Sequence, residues 1–241
     1  MIGLGTVINT GAIALAGLTG HLFGKAFDEE KQEALSKACG ICVLFLGIAG
    51  ALEGLLTVSG GAVTSGRSMF VVLSLAIGTM IGELLNIERA FARFGGWLKA
   101  KTGNAGDARF VDAFVTASLT VCIGAMAIVG ALRDGVSGDH SMLAVKAVLD
   151  FVVIAVLCSS LGKGAAFAAV PVFLFEGGIT LLAKLIAPVM TDGATANISL
   201  IGSVLVFCVG VYLVWGKQIR AANMLPAILV AVVIEYLPFG L

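Results

Sequence analysis

The sequence has few charged residues and no excess of either sign. Only 12% of its 241 residues are Asp, Glu, Lys or Arg, divided equally between acidic and basic side chains, whereas a typical soluble domain has about 25% charged residues. Because the net charge is zero, no overall field attracts nucleic acid, and we expect no nucleic-acid partner. The polar residues are also too few to cover a water-soluble protein of this size.

Cysteine and histidine are scarce, and their positions do not form a metal-binding set. The five cysteines lie in apolar segments, and Cys39 and Cys42 have C-x-x-C spacing, which is compatible with redox or metal chemistry. No second such pair and no neighbouring histidine completes a zinc site. Because free cysteine is commonly a small buried side chain, we favour that interpretation and expect neither a metal nor a cofactor.

The sequence also lacks the motifs of common enzyme classes. It contains no H-E-x-x-H zinc motif, no Walker A phosphate loop, no G-x-S-x-G nucleophile elbow and no EF-hand loop. No nucleophile and base stand at a recognisable spacing. We therefore expect that the protein is not an enzyme.

Long apolar runs make up most of the chain. Hydrophobic residues account for 59% of it, and the mean hydropathy is +1.07. A helix needs about 20 mostly apolar residues to cross a bilayer. The segments that meet this condition are residues 3–24, 38–57, 67–86, 110–132, 141–161, 165–187, 198–215 and 220–239. The sequence therefore predicts an all-α membrane protein, with about eight transmembrane helices in a single polytopic domain over residues 1–241.

The loops between these segments differ in their basic residues, which predicts their orientation. If the loop at residues 86–109 is cytoplasmic, most loop Lys and Arg residues share its side, and only Arg67, Arg133 and Lys184 lie on the other. Cytoplasmic loops of membrane proteins carry such an excess. We therefore predict that both termini lie outside.

Residues 87–100 of that loop combine aromatic and basic side chains. Ile87, Phe91, Phe94, Trp97 and Leu98 recur at helical spacing, with arginines between them. This pattern predicts an amphipathic helix that lies on the cytoplasmic interface of the membrane. A plain connecting segment is the alternative.

Three stretches share a pattern that indicates weak internal repeats. Each has a cysteine followed by a glycine eight residues later: Cys42 and Gly50, Cys122 and Gly130, Cys208 and Gly216. They define repeat-like units of about residues 1–86, 87–163 and 164–241. The first and third units contain three predicted spans each and would have opposite orientations, as in many secondary transporters. Chance similarity between apolar helices is the alternative.

Glu176 is followed by two glycines in the middle of the sixth predicted span. Superposing the first and sixth spans by the cysteine offset places residues 9–11 (Asn-Thr-Gly) opposite residues 176–178 (Glu-Gly-Gly), to within one position. Glycine lets a helix loosen, and backbone groups freed at this depth must face protein or water. Interrupted spans at matching positions of two halves are typical of transport sites. We therefore predict a broken or re-entrant helix near Glu176 and an ion- or substrate-binding site there.

Lys146 and Asp150 lie four residues apart, on one face of the fifth predicted span. A charge at the bilayer centre costs about 2.5–3.5 kcal/mol on insertion scales, so these side chains are expected to face protein or a cavity. They can neutralise each other, which leaves Glu176 without an evident basic partner, so that it would carry a proton or bind a cation. A buried hydrogen-bonded network that only fixes helix packing is the alternative.

Several segments carry a resemblance to a known family: residues 5–20, 82–88, 146–157, 171–183 and 199–231. In order and nearly from end to end, they resemble the YqgA-like family of uncharacterised bacterial inner-membrane proteins. The resemblance implies a multi-pass protein of the bacterial inner (plasma) membrane. That family is of unknown function, with a sodium channel or pump as a suggested activity, and it supplies no site residues.

Taken together, these patterns predict a secondary transporter or ion-conducting membrane protein for a small cation or a small solute. The residues predicted for its mid-membrane polar site are Glu176, Gly177, Asp150, Lys146, Asn9 and Thr10. The expected partners are the lipid bilayer and the transported ion or molecule, and a homo-oligomer is left open. The alternative is a non-transporting membrane scaffold or regulatory protein that acts through helix surfaces, with Arg93 and Trp97 as contact residues.

Overall fold

The computed structural model describes residues 1–24, 28–59, 61–122, 125–216 and 219–236, and within these ranges the fold is almost entirely helical. The helices are α1 (Leu4–Gly24), α2 (Glu29–Leu55), α3 (Ser68–Leu85), α4 (Ile87–Lys101), α5 (Phe110–Cys122), α6 (Ala125–Ser137), α7 (Ser141–Leu161), α8 (Ala169–Leu181), α9 (Ala183–Ile186), α10 (Asp192–Trp215) and α11 (Pro226–Glu235). Short 3₁₀ turns lie at Lys163–Ala168, Ala187–Val189 and Ala221–Met224.

Six helical segments of the described ranges are long and apolar enough to cross a membrane. They are α1, α2, α3, α7, α10, and α8 together with the 3₁₀ turn before it. The helices α5 and α6 would form a seventh span as a pair, with an angle of 61° between them, and Ala221–Glu235 is a shorter apolar helix. The prediction of an all-α membrane protein is confirmed, whereas the count of eight spans stays a prediction.

The predicted break near Glu176 is wrong. Helix α8 continues without interruption through residues 176–178, and the amide of Leu182 still donates to the carbonyl of Gly178 at 3.0 Å. Helix α1 likewise passes unbroken through residues 9–11. Glycine permits a helix to open but does not require it, and in lipid an intact helix satisfies its own backbone groups. Glu176 finds its hydrogen-bond partner on a neighbouring helix instead.

A β-hairpin joins α2 to α3, and the sequence analysis did not predict it. Strand β1 (Leu56–Ser59) pairs antiparallel with β2 (Ala62–Ser65), and the hydroxyls of Thr57 and Thr64 lie 2.9 Å apart across the strands. Both strands contain valine and threonine, which favour extended backbone because they branch at Cβ.

The amphipathic segment predicted at residues 87–100 is a helix, namely α4.

Contacts between helices show whether neighbouring helices run parallel or antiparallel. Thr6 and Asn9 of α1 contact Thr180 and Glu176 of α8, so α1 and α8 are antiparallel. Helix α7 runs parallel to α1, because Gly5 and Gly20 of α1 pack on residues 143 and 155 of α7. Helix α6 joins this group through its contacts with α8 and α1.

A second group contains α2, α3, α10 and α11, and close glycine contacts hold it together. Gly47 of α2 faces Phe207 of α10, where an added Cβ would lie 2.6 Å from the Phe207 amide nitrogen. Gly40 and Gly54, one heptad away on either side, also pack on α10. Small residues let membrane helices approach closely in this way. Helix α3 packs antiparallel on α11 through Gly78 and Ala227.

Candidate functional site

Four polar side chains from three helices meet inside the first helix group. Asn9 comes from α1, Lys146 and Asp150 from α7, and Glu176 from α8. Each of the four residues is at most 7% exposed. We call these four residues the polar cluster.

Lys146 is the centre of the polar cluster. Its ammonium group forms an ion pair with Asp150, donates to the carbonyl of Val121 at 2.8 Å, and lies 3.6 Å from Oε1 of Glu176. Val121 belongs to α5 and is separated from Lys146 by 25 residues in sequence. The three N–H groups of the lysine therefore have three acceptors around them. The expectation that Glu176 lacks a basic neighbour is wrong, because Lys146 lies between the two carboxylates.

Glu176 and Asn9 are bonded to each other but keep spare oxygens. Nδ2 of Asn9 donates to Oε1 of Glu176 at 2.8 Å. Oε2 of Glu176 and Oδ1 of Asn9 are buried and have no hydrogen-bond partner among the described residues. The polar cluster contains one ammonium group and two carboxyl groups, so with both carboxyl groups ionised it has one uncompensated negative charge. It can accept a proton or a monovalent cation without a further protein charge.

Two of the predicted site residues lie next to the polar cluster without contributing to its hydrogen bonds. The hydroxyl of Thr10 is buried and has no partner in the part of the chain that the structure describes. Gly177 does not allow a close helix approach, because an added Cβ would meet nothing nearer than the Thr6 methyl group at 3.8 Å. The structure thus brings together Asn9, Lys146, Asp150 and Glu176.

The sequence analysis missed a line of polar residues beside the polar cluster. The hydroxyls of Thr6 and Thr180 lie 3.4 Å apart, and Thr180 donates to the carbonyl of Ala131 at 3.1 Å. Asp134 of α6 is fully buried and accepts from the amides of Gly3 and Gly5 at 3.2 and 2.9 Å. Helical spacing was the available signal, because Thr6 is three residues from Asn9 and Thr180 is four residues from Glu176.

A cavity of about 360 Å³ lies between α4, α5, α10 and residues 219–221. One face of α5 lines it with Asp112, Val115, Thr116 and Leu119, which span about 10 Å at about 1.5 Å per residue. The other charged residues of its wall are Glu88, Arg89 and Arg220. Leu119, at the far end of this lining, is two residues before Val121, so the cavity extends along α5 from the α4 side of the molecule to about the level of the polar cluster.

The site chemistry is that of buried carboxylates and amide oxygens. Among the described residues, no group of three or more His, Cys, Asp or Glu side chains could hold a metal ion. Oxygen atoms that lack donors suit a hard cation or a proton, and intramembrane Asp and Glu residues mark ion and proton pathways in many membrane proteins. Lys146 and Asp150 are placed to influence such a site through their charges.

Comparisons with known proteins place the whole chain in one family. The family profile described as "Protein of unknown function (DUF554)" matches residues 4–236. The chain belongs to this DUF554 family. It is 28% identical over 239 residues to the "Uncharacterized membrane protein YdfK" of Bacillus subtilis (strain 168), with 98% of each chain covered. It is 27% identical over 232 residues to the "Uncharacterized protein YqgA" of Escherichia coli (strain K12), which covers 95% of this chain and 94% of YqgA.

The comparisons confirm the resemblance to the YqgA-like family and the membrane class of this DUF554 protein. The name of the Bacillus subtilis relative states a membrane protein, in agreement with the apolar helices. No solved structure matches the chain. Neither relative's name states a ligand or an activity, so the function is argued from the polar cluster.

Proposed function

We propose that this DUF554 protein is a secondary transporter or ion-conducting membrane protein for a small cation or a small solute, and that it acts without catalytic chemistry. The observation that carries the proposal is Glu176. Its carboxyl group is buried in an apolar helix, shares Lys146 with Asp150, and has one oxygen that no described residue contacts through a hydrogen bond.

Energetics favour a function for these charges over a purely structural role. Three charged groups at bilayer depth cost on the order of 7–10 kcal/mol on insertion scales, before any pairing. The ion pair of Lys146 and Asp150 offsets part of this cost, but a buried acceptor without a donor costs about 1–3 kcal/mol more. A bound proton or monovalent cation on Glu176 removes both the orphaned oxygen and the extra charge. The polar cluster is therefore suited to exchange such an ion.

The cavity between α4, α5 and α10 supports access to the polar cluster from one side. It is bordered by charged groups at the end of the molecule that carries α4, and by Leu119 at its deeper end. The excess of basic loop residues on this side supports its assignment as cytoplasmic, with both termini outside and the inner membrane as the location. The lining of the cavity ends within about one turn of α5 from Val121, whose carbonyl accepts a hydrogen bond from Lys146.

Helix pairing supports the finer topology of eight spans and inverted repeat units. The cysteine offset that aligns Cys42 with Cys208 also aligns Leu44 with Gly210, and these two residues touch. The same offset aligns residue 10 with Glu176, which contacts Asn9. In both cases a helix of the first unit packs antiparallel on its counterpart in the third, as α3 does on α11. Inverted units related by an axis in the membrane plane would produce this pairing.

Ion flux in proteoliposomes tests the proposed function. Glu176→Gln keeps the size of the side chain and a hydrogen-bonding oxygen but removes the charge, so flux of protons, Na⁺ or K⁺ is expected to fall at least about 100-fold. Glu53→Gln is the matched control, because Glu53 is an exposed carboxylate in α2 of the other helix group. Flux at the wild-type rate in a folded Glu176→Gln protein would refute the assignment.

The scaffold alternative rests on the surface of α4. Trp97 is 54% exposed there and stacks on Phe94 with ring centroids 5.8 Å apart. An exposed aromatic side chain on a basic amphipathic helix suits a membrane interface or a protein partner. This alternative predicts that Arg93 and Trp97 substitutions abolish function while Glu176→Gln leaves it intact.

A further inference from the structure

The hydrogen bonds of α1, α6 and α8 form three successive polar levels. At the first level, Asn9 of α1 bonds Glu176 of α8. At the second, the hydroxyls of Thr6 and Thr180 lie 3.4 Å apart, and Thr180 also donates to α6. At the third, Asp134 of α6 accepts two amides at the start of α1. The levels follow each other at helical spacing, so they lie about one turn apart.

Among the described residues, Asp134 has no basic side chain to neutralise it, whereas Glu176 shares Lys146 with Asp150. Asp134 is 0% exposed, and no ion pair links it to any residue that the structure describes. Each of its carboxylate oxygens accepts one backbone amide, from Gly3 or Gly5. A carboxylate oxygen has two lone pairs, so each retains acceptor capacity.

The helices around the level of Thr6 and Thr180 pack closely against one another. Gly135 of α6 lies directly on the backbone of Thr180, so that a side chain at that position would collide with it. Gly5 of α1 lies on Leu143, where an added Cβ would be 2.7 Å from Cδ1. Packing this close leaves no room for a hydrated ion or an organic solute, so only a proton or a monovalent cation that has lost most of its water could move between the levels.

We infer that Asp134 is a second carboxylate site of the pathway, linked to Glu176 through the hydroxyls of Thr6 and Thr180, and that it receives the same proton or monovalent cation. This inference rests on the proposed function and extends it from the polar cluster to the side opposite α4. Chains of carboxylates and hydroxyls inside a membrane are typical of proton and ion pathways. The hydroxyls supply both a donor and acceptors, which either species requires.

The competing explanation is that Asp134 only caps the amino terminus of α1, where a carboxylate is favourable. Asp134→Asn distinguishes an ion site from a helix cap, because the amide oxygen can still accept a backbone N–H while the charge is lost. We expect at least a 10-fold loss of proton, Na⁺ or K⁺ flux in proteoliposomes, with a thermal unfolding midpoint close to wild type. Asp139→Asn, at an exposed position in the next loop, is the matched control and should leave flux unchanged.

The hydroxyl link is tested by a pair of substitutions at Thr180. Thr180→Val removes the hydroxyl at nearly constant volume and should lower flux several-fold, whereas Thr180→Ser keeps the hydroxyl and should restore most of it. Wild-type flux in both Asp134→Asn and Thr180→Val would overturn the inference. If Asp134→Asn instead lowers the unfolding midpoint and flux falls only in proportion to the folded fraction, a helix cap is sufficient and the inference is also overturned.

Glu176→Gln, measured in the same vesicles, distinguishes this inference from the function on which it rests. Loss of flux in Glu176→Gln with normal flux in Asp134→Asn would refute the second site and leave the proposed function intact. Normal flux in Glu176→Gln would refute the proposed function itself. Loss in both, with folded proteins and an unaffected Asp139→Asn control, is the result that we expect.

Discussion

The two helix groups of this protein solve the same packing problem with different residues. Helices α2 and α10 approach through glycines such as Gly47 and through apolar side chains. Helices α1, α7 and α8 also use close glycine contacts, at Gly5 and Gly20, yet they add Lys146 and its two carboxylate neighbours. At the contact of α2 with α10, close packing of glycines and apolar side chains is therefore sufficient to join two helices. The buried charges of the first group need another reason, and an ion site supplies one.

The largest effect on stability is expected from Lys146→Met. The substitution leaves Asp150 and Glu176 buried without a counter-charge, and breaking a buried ion pair from one side costs about 3–5 kcal/mol. Unfolding of the purified protein in detergent, followed by heat or denaturant, measures this loss. Lys146→Met combined with Asp150→Leu should recover much of the stability but no flux. If Lys146→Met alone is as stable as wild type, the ion-pair geometry is contradicted.

A smaller loss is expected from Gly47→Ala in the second group. The new Cβ would lie 2.6 Å from the Phe207 amide nitrogen, so α2 and α10 must separate slightly. Overpacking of this kind typically costs about 1–3 kcal/mol. The same unfolding experiment measures it, and ion flux per folded molecule should stay unchanged. A flux defect without a stability defect would place part of the pathway between α2 and α10.

The smallest effect is expected from Gly178→Ala in α8. An added Cβ there meets nothing within 4 Å, and alanine is favoured over glycine in a helix by up to about 1 kcal/mol. We expect unchanged flux and equal or slightly higher stability. This variant also tests the rejected helix break, since a 10-fold loss of flux at normal stability would show that α8 must open at this glycine.

Composition and local spacing were enough to predict the membrane class and most of the polar cluster. The four-residue spacing of Lys146 and Asp150 places them on one helix face in any helical fold. The alignment of the first and third units brought residues 9–11 opposite residues 176–178 to within one position, and Asn9 does contact Glu176. The first inference needed only helix geometry, and the second needed only a fixed offset between two segments of the sequence.

Features that depend on distant packing were not predicted. Asp134 stands near the end of a predicted span, and its burial depends on the start of α1, about 130 residues away in sequence. The carbonyl of Val121 accepts from Lys146 across a contact between α5 and α7 that polar spacing within one helix does not indicate. The helix break was predicted wrongly because glycine allows but does not compel a helix to open. Sequence spacing contains none of this information.

Solvent access to the polar cluster tests the central claim most directly, because a pathway must be reachable by water and a packing network need not be. In a variant that lacks the native cysteines, Asn9→Cys places a thiol within the polar cluster, and Ala16→Cys places one in the apolar core two turns further along α1. A small water-soluble thiol reagent should modify Asn9→Cys in membranes and leave Ala16→Cys unmodified. If both thiols stay equally unreactive in folded protein, the polar cluster is sealed and the account of an ion pathway is contradicted.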